Sequence, residues 1–282
     1  MRIVMDDAGD IAAHLIEKYN IHIVPINIAF GTSEYLSGID MDDEAFYAKV
    51  KTVSSHNFPK TSQPTPFQMA EAYRALIEQG ETEILTVTVG QKLSGTYASA
   101  IAAAKELEGE ATFHIFDSQA ASAAEGFLAL AAARWAAEGK GSGEIIAGLE
   151  KMREQLATVF TIDSLEFAVK GGRVSSLKSM MASLLSIKPI LELEDGVVAE
   201  AGRVRTRKRA LKEIVQRVVQ QVGDKRVRVA VVHAQADDEA AALLEQAKDT
   251  LNYEEAFAMN MSISVAVNLG PGALGLIVVP AD

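Results

Sequence analysis

Hydroxyl and glycine residues at positions 90–96 form the stretch of the sequence best suited to bind an anion. The stretch reads GQKLSGT and stands between a β-branched apolar run, which predicts a buried strand, and an alanine-rich run, which predicts a helix. A helix entrance presents unpaired N–H groups and the positive end of the helix dipole, and both attract anions. An oxyanion site is one interpretation of this pattern, with Ser94, Thr96 and the Gly95 amide as donors. The alternative is ordinary capping, in which Ser94 or Thr96 only satisfies the first helical turn.

A second pair of hydroxyls, Thr61 and Ser62, precedes another predicted helix. Thr65, Pro66 and Gln68 have the spacing of the N-cap, N1 and N3 positions of a capping box, so Thr65 is structural. Thr61 and Ser62 lie in the loop before this box and have no capping role. They are candidates for ligand binding, and simple solvation is the alternative.

Acidic residues follow the first predicted strand and enter a later helix. Asp6 and Asp7 come directly after that strand, where loops of α/β folds line sites. Asp10 is placed to cap the next helix. Ser122 and Glu125 have the spacing of a second capping box.

Three strand–loop–helix units position these side chains. Such repeats predict a parallel sheet with a site at the carboxyl ends of the strands, where several polar loops converge. The three strands start near Ile3, Ile84 and Thr112. They end in Asp6-Asp7, in residues 90–94 and in Asp117-Ser118.

The pattern changes to mixed strands and helices near residue 158. Gly171-Gly172 predict a helix end, and Asp195-Gly196 predict a hairpin turn. Two further strands flank residues 268–272. An apolar helix is predicted over residues 175–186, with Met180, Met181, Leu184 and Leu185 at helical spacing. We therefore expect an α/β protein of two domains, an α/β domain with a parallel sheet over residues 1–157 and an α+β domain with a mixed sheet over residues 158–282.

Composition limits the possible classes of protein. The 282 residues carry a net charge of -11, and 49% of them are hydrophobic, which predicts a globular protein without the basic face that nucleic acids require. There is no cysteine, so disulfides and thiolate catalysis are excluded. The start of the sequence is unlike a signal peptide, and no apolar run reaches transmembrane length. We expect a cytoplasmic protein without stable membrane insertion.

Motifs of common enzymes are missing from the sequence. Neither a phosphate loop nor a dinucleotide fingerprint occurs, and Ser94 does not lie in a G-x-S-x-G turn. The five histidines have no metal-ligand spacing, and they are His14, His22, His56, His114 and His233. A serine acyl hydrolase using Ser94 is the enzymatic alternative, but it needs a base and no histidine adjoins a motif.

Six short motifs in order resemble the bacterial DegV family of fatty-acid-binding proteins over the whole chain. They are Thr61-Ser62-Gln63-Pro64, Leu93-Ser94-Gly95-Thr96-Tyr97, Asp117-Ser118, Gly171-Gly172-Arg173-Val174, Ile187-Lys188-Pro189-Ile190 and Gly270-Pro271-Gly272. The resemblance implies a three-layer α/β domain and an α+β domain, with a long-chain fatty acid such as palmitate between them and no cofactor.

The resemblance also implies which residues hold the fatty-acid carboxylate. Hydroxyls of Thr61, Ser62 and Ser94 would bind it, joined by the Gly95 amide. Asn268 stands where members of the family often have a histidine. An asparagine can donate a hydrogen bond to a carboxylate but cannot titrate near neutral pH.

A partner kinase is a further implication of the resemblance. Arg173, together with Arg205, would present the head group to a dihydroxyacetone-kinase-like fatty acid kinase that forms an acyl phosphate. The chain departs from the family by having Asp6-Asp7 for the usual Asp-Ser and Gly90-Gln91 for a serine pair. We expect a fatty-acid carrier with no chemistry of its own, and a regulatory module that retains lipid only to fold is the second alternative.

Overall fold

The computed structural model of the protein describes residues 1–54, 56–163, 165–174 and 187–281. Two compact units share the chain. Unit 1 comprises Met1–Glu154 with Ser262–Ser264, and unit 2 comprises Gln155–Met261 with Val265–Asp282. The domain boundary between residues 157 and 158 stays a prediction. The apolar helix predicted over residues 175–186, including Met180, Met181, Leu184 and Leu185, lies outside the described residues.

Unit 1 alternates strands and helices along most of its length. In chain order it contains β1 (Arg2–Asp6), α1 (Ala13–Tyr19), β2 (His22–Val24), β3 (Asn27–Phe30), β4 (Ser33–Leu36), α2 (Asp43–Val50), β5 (Pro59–Ser62), α3 (Pro66–Glu78), β6 (Glu83–Thr88), α4 (Thr96–Glu106), β7 (Thr112–Asp117), α5 (Ala123–Ala137) and α6 (Ser142–Arg153). Strands β2, β1, β6 and β7 form a sheet in that order, and every pair in it is parallel. The predicted parallel sheet is confirmed.

Helices cover the parallel sheet because the interiors of its strands are mostly apolar. Helices α3 and α4 contribute Met69, Tyr73 and Ala103 to a core that includes Val4 and Ile84 of the sheet. Helix α5 contacts β1 and β6, and its residues from 123 to 133 are all buried. A helix that is apolar all round belongs in an interior, which agrees with this burial.

A small antiparallel sheet, in the order β4-β3-β5, completes unit 1. Thr61 and Ser62 belong to β5, where they pair with Ile28 and Asn27 of β3. The loop predicted for these two residues is therefore wrong. Pro25 separates β2 from β3, which lie in different sheets.

Unit 2 is built on a single mixed sheet. In chain order its elements are β8 (Ala157–Thr161), α7 (Leu165–Gly171), β9 (Lys188–Glu194), β10 (Val197–Val204), α8 (Arg207–Val222), β11 (Val227–His233), α9 (Asp237–Thr250), β12 (Tyr253–Asn260), α10 (Ile263–Leu269, whose first two residues belong to unit 1) and β13 (Leu274–Pro280). The strand order is β10-β9-β8-β13-β11-β12. Helices α8 and α9 bury apolar side chains such as Ile214 and Leu243 on strands β8, β9, β11 and β13. The predicted α/β class, with a parallel sheet and a separate mixed sheet, is confirmed.

Three further predictions, on a hairpin turn, on the surroundings of Asn268 and on membrane-spanning helices, can be compared with the structure. The hairpin turn at Asp195-Gly196 is confirmed between β9 and β10, and both residues have positive φ angles of 49° and 75°. Asn268 lies in helix α10, whereas we expected strands on both sides of residues 268–272 without a helix. Within the described ranges, no helix is both long enough and apolar enough to cross a membrane.

Candidate functional site

The two hydroxyl-bearing segments predicted to bind a carboxylate meet in unit 1. Gln63 directly follows Thr61 and Ser62, and the amide group of its side chain lies close to Gly95. A β-carbon placed on Gly95 would be only 2.6 Å from Gln63 Nε2 and 2.8 Å from Gln63 Cδ. Gly95 has an ordinary φ of -79°, so its backbone conformation does not require glycine. The end of β5 and the start of α4 are thus in direct contact.

Ser94 is hydrogen-bonded to Thr96, the first residue of helix α4. The two hydroxyl oxygens are 2.9 Å apart, and the Thr96 amide donates to Ser94 Oγ at 3.4 Å. The N-cap of α4 is Gly95, and no side-chain cap bond is found at this fully described helix start. Ser94 Oγ nevertheless accepts from the first amide of α4, as the capping alternative expects, so anion binding by Ser94 stays a prediction. The loop itself is closed by the amides of residues 93 and 94, which donate to the Gly90 carbonyl at 2.8 and 3.1 Å.

Ser94 has no base beside it in the part of the chain that the structure describes. Its hydroxyl contacts Thr96 alone, and no described hydrogen bond joins it to a histidine or a carboxylate. His114 Nε2 instead pairs with Glu83 Oε1 at 3.0 Å, and His233 Nδ1 accepts from an amide. A serine nucleophile needs an adjacent base, so this geometry gives the hydrolase alternative no support.

The loop after β7 packs tightly against the other end of the 90–96 loop. Asp117 Oδ1 accepts from the amides of Gln91 and Gln119 at 2.9 and 3.1 Å. The Gly90 amide donates to the Ala120 carbonyl at 2.7 Å. A β-carbon on Gly90 would lie 3.1 Å from the backbone of Gln119. This tight contact leaves little room for a side chain at position 90.

Buried carboxyl groups collect where β1 ends. Both Asp6 oxygens accept backbone amides, those of Ala8 and Val89, at 3.0 and 2.8 Å. Asp10 accepts from the Ser122 hydroxyl and, at 2.8 Å, from the Ser262 amide. Burial raises the pKa of Asp6 and of Asp10 to about 7. It also raises the pKa of Asp7, more weakly, to about 6.

Glu125 is the most isolated member of this cluster. It is fully buried, and neither carboxylate oxygen has a hydrogen-bond partner among the described residues. Burial, and then the neighbouring charges of Asp6 and Asp10, raise the pKa of Glu125 well above the usual range. The capping box predicted for Ser122 and Glu125 is wrong. Asp10 is also not a cap, because α1 starts three residues later with Ala12 as its N-cap.

Sequence reasoning missed the carboxyl cluster, although a signal was present. Glu125 lies in AAEGFLALAAARW, a helix that is apolar on all sides, and an acid in such a helix is buried. No group of histidine and acidic side chains within the described ranges has the arrangement of metal ligands.

An open cavity of about 480 Å³ also lies in unit 1. Its lining includes four carboxylates, those of Asp7, Asp42, Asp43 and Glu44. The negative charge of this lining repels a carboxylate, so the cavity is unsuited to a fatty-acid head group.

The predicted site residues of unit 2 lie around the end of α7. Arg173 is exposed, and its Nη1 donates to the Gly171 carbonyl at 2.6 Å. A β-carbon on Gly171 would lie 2.8 Å from Asn268 Oδ1, so the Gly-Gly-Arg segment and α10 are in contact. Arg205 is exposed just before α8. Arg207, which follows, holds the Gly-Pro-Gly loop by donating to the Gly272 carbonyl at 2.7 Å.

Comparison with known proteins gives matches over the whole chain. A family model described as an uncharacterised protein of the DegV family matches residues 1–281. Protein DegV of Bacillus subtilis is 32% identical over 277 residues, which are 97% of each chain.

Solved structures agree with this match. A fatty-acid-binding DegV family protein from Thermus thermophilus is 31% identical, with a TM-score of 0.92 over 100% of both chains. A stearic-acid-binding protein from Eubacterium ventriosum is 26% identical, with a TM-score of 0.90 over 99% of this chain and 98% of that one. The resemblance identified from six short motifs is confirmed.

Proposed function

The chain belongs to the DegV family, and from that premise we propose that it is a carrier that binds a long-chain fatty acid and has no catalytic activity of its own. The observation that supports this most strongly is fatty-acid binding by solved relatives that share the fold along its whole length. The stearic acid named for one relative favours a long acyl chain as ligand.

The carboxylate of the fatty acid is bound by the hydroxyl segments of unit 1. Contact between Gln63 and Gly95 supports this assignment, because it keeps the hydroxyls of Thr61, Ser62 and Ser94 on neighbouring segments. None of the described hydrogen bonds uses the Gly95 amide, so it can donate to the same anion. The role of Asn268 as a further amide donor stays a prediction.

Extraction of ligand from the purified protein tests the carrier function. We expect mass spectrometry to detect about one fatty acid per chain, and delipidated protein to bind hexadecanoic acid. A protein that purifies without lipid and takes up none would contradict the proposal. The same protein should release no product in a burst from an activated acyl ester, because Ser94 has no base beside it.

Presentation of the bound acid to a dihydroxyacetone-kinase-like fatty acid kinase is the second part of the proposed function. Arg173 and Arg205 are exposed cations, which suits them to contact a partner or the phosphoryl group that it transfers. The kinase would convert the carboxylate to an acyl phosphate while the carrier holds the tail.

Replacing Arg173 tests this partnership. Arg173→Ala should leave lipid occupancy near that of the wild type and lower the rate of acyl phosphate formation by a cognate kinase at least tenfold, a loss that corresponds to about 1.4 kcal/mol. Lys170→Ala removes a neighbouring exposed cation that pairs with Glu166, and serves as the control. Equal phosphorylation rates for Arg173→Ala and Lys170→Ala would remove the role of Arg173.

A further inference from the structure

Thr96 is a buried hydroxyl residue with one described partner. Its exposed fraction is 0%, whereas Ser94 is only partly buried. Thr96 Oγ1 lies 2.9 Å from Ser94 Oγ, and no other hydrogen bond of Thr96 Oγ1 occurs among the described residues.

The burial of Thr96 decides which of the two hydroxyls donates. If Ser94 donated to Thr96, the hydrogen of Thr96 would be buried without an acceptor, and an unmet buried donor is costly. If Thr96 donates, its hydrogen is satisfied, and the hydrogen of Ser94 points to the accessible side. The Thr96 amide also donates to Ser94 Oγ, at 3.4 Å. Ser94 Oγ therefore accepts from both the hydroxyl and the backbone amide of Thr96.

We propose that Thr96 is a positioning residue that turns the Ser94 hydroxyl into an outward donor and so makes the site select an ionised carboxylate over a neutral head group. This inference rests on the proposed fatty-acid-binding function. A hydroxyl whose oxygen accepts two donors is polarised, and its hydrogen then bonds best to an anion. A fatty alcohol of the same length keeps the apolar tail but offers no charge to this donor.

Two substitutions of Thr96 test the assignment. Thr96→Val keeps the shape of the side chain but removes the hydroxyl, and Thr96→Ser keeps the hydroxyl. The ligands are hexadecanoic acid and hexadecan-1-ol, with affinities measured on delipidated protein at pH 8. We expect Thr96→Val to lower the preference for the acid over the alcohol by about tenfold, chiefly through weaker acid binding. Thr96→Ser should restore the wild-type preference.

Two controls separate positioning from simple destabilisation. In a Ser94→Ala background, Thr96→Val should change the acid preference no further, because the group that it positions is gone. An unchanged preference in folded Thr96→Val protein would overturn the proposal. Wild-type protein that binds neither ligand would overturn the proposed function itself, and the role of Thr96 with it.

Neutron diffraction of the wild type decides the hydroxyl orientation even if Thr96→Val fails to fold. We expect the deuteron of the Thr96 hydroxyl to lie on the line to Ser94 Oγ. A deuteron that Ser94 Oγ directs at Thr96 Oγ1 would contradict the proposal without any variant.

Discussion

The hydroxyls of Thr61 and Ser94 and the acyl tail contribute differently to binding in the proposed carrier. A tail of about fourteen methylenes at ~0.8 kcal/mol each gives a gross term of roughly 11 kcal/mol. Hydrogen bonds to a carboxylate add about 1.5–3 kcal/mol each, much of it offset by desolvation of the charge. The tail should therefore set affinity, and the hydroxyls should set the orientation of the head group.

The double substitution Ser94→Ala with Thr61→Val measures this division. We expect affinity for hexadecanoic acid to fall modestly, by about tenfold, and acyl phosphorylation to fall far more. A misplaced carboxylate cannot meet the incoming phosphoryl group in line. Ser33→Ala with Thr250→Val, both at exposed positions, is the control. Loss of all lipid binding in a folded double variant would mean that the head group dominates instead.

Two capping boxes with the same residue spacing had opposite outcomes. The box of Thr65 and Gln68 is confirmed, with both reciprocal bonds present at an exposed helix start. Ser122 has a φ of 59°, and its hydroxyl bonds instead to Asp10, 112 positions earlier. A spacing rule considers only local partners, so it fails where a distant buried carboxylate competes for the same hydroxyl.

Helix α5 approaches the loop after β1 more closely than a side chain would allow. A β-carbon on Gly126 would lie 2.1 Å from the Asp10 carbonyl oxygen. Alanine is ordinarily better than glycine in a helix by about 0.5–1 kcal/mol. At this position the overlap should reverse the sign, because backbone atoms must move to accommodate the methyl group.

Gly126→Ala is therefore expected to lower the free energy of unfolding by about 1–3 kcal/mol or more. Gly143→Ala in α6 is the matched control, since a β-carbon there has no atom within 4 Å. That variant should gain a few tenths of a kcal/mol up to about 1 kcal/mol. Denaturant unfolding of both variants measures the contrast, and equal stabilities would refute the close packing of α5.

Sequence patterns predicted the long elements better than the short ones. The three βα units gave β1, β6 and β7 their correct parallel arrangement, because each strand is a strongly apolar run. Helix α10 was missed, since ISVAVNL is rich in β-branched residues that favour strands. Strand β5 was missed for the converse reason, because PKTS is short and polar and its pairing with β3 is set by distant residues.

The whole molecule carries a charge of -11 and still encloses several carboxyl groups in unit 1. Asp6 and Asp10 have a folded pKa of about 7 against an ordinary 3.8, and that of Glu125 is raised well above 4.5. The folded state therefore holds more protons than the unfolded state. The stability that these groups contribute is complete below pH ~4 and is lost as pH rises toward their raised pKa values, which are about 7 for Asp6 and Asp10.

Stability should accordingly fall between about pH 4 and pH 7, with a slope of at most about 1.4 kcal/mol per pH unit for each retained proton. Glu125→Gln removes one such proton without changing shape, so its advantage over the wild type should grow as pH rises. Glu138→Gln, an exposed acid at the end of the same helix, should leave the pH profile unchanged. Thermal unfolding at each pH measures both stability profiles. Parallel profiles for Glu125→Gln and the wild type would mean that Glu125 is ionised in the folded state.

Acidic side chains from several elements face Glu125, and no basic group among the described residues is hydrogen-bonded to its carboxyl. Asp6, Asp7, Asp10 and Asp117 are its charged neighbours. Arg153 of α6 donates to the Asp117 carbonyl, and Arg2 at the far end of β1 pairs with Glu81. On α5 itself Arg134 lies over Tyr19 of α1, whose remaining titratable side chains, His14, Glu17 and Lys18, are exposed.

The overall architecture was predictable from the sequence. Which of the two units a short segment belongs to was not. The parallel and mixed sheets follow from hydrophobic patterns that each half of the chain carries locally. Ser262–Ser264 belong to unit 1 although the residues on both sides belong to unit 2. Their bonds to Asp10 and to the Asp7 carbonyl span more than 250 positions, a separation that no local pattern records.

Those three residues also determine how the protein can be dissected. A fragment that ends at Glu154 contains every strand of the parallel sheet and helices α1 to α6. It lacks the Ser262 amide and the Ser264 hydroxyl. Asp10 Oδ1 and the Asp7 carbonyl would each lose a donor. Truncation and circular permutation should therefore keep Ser262–Ser264 covalently attached to residues 1–154.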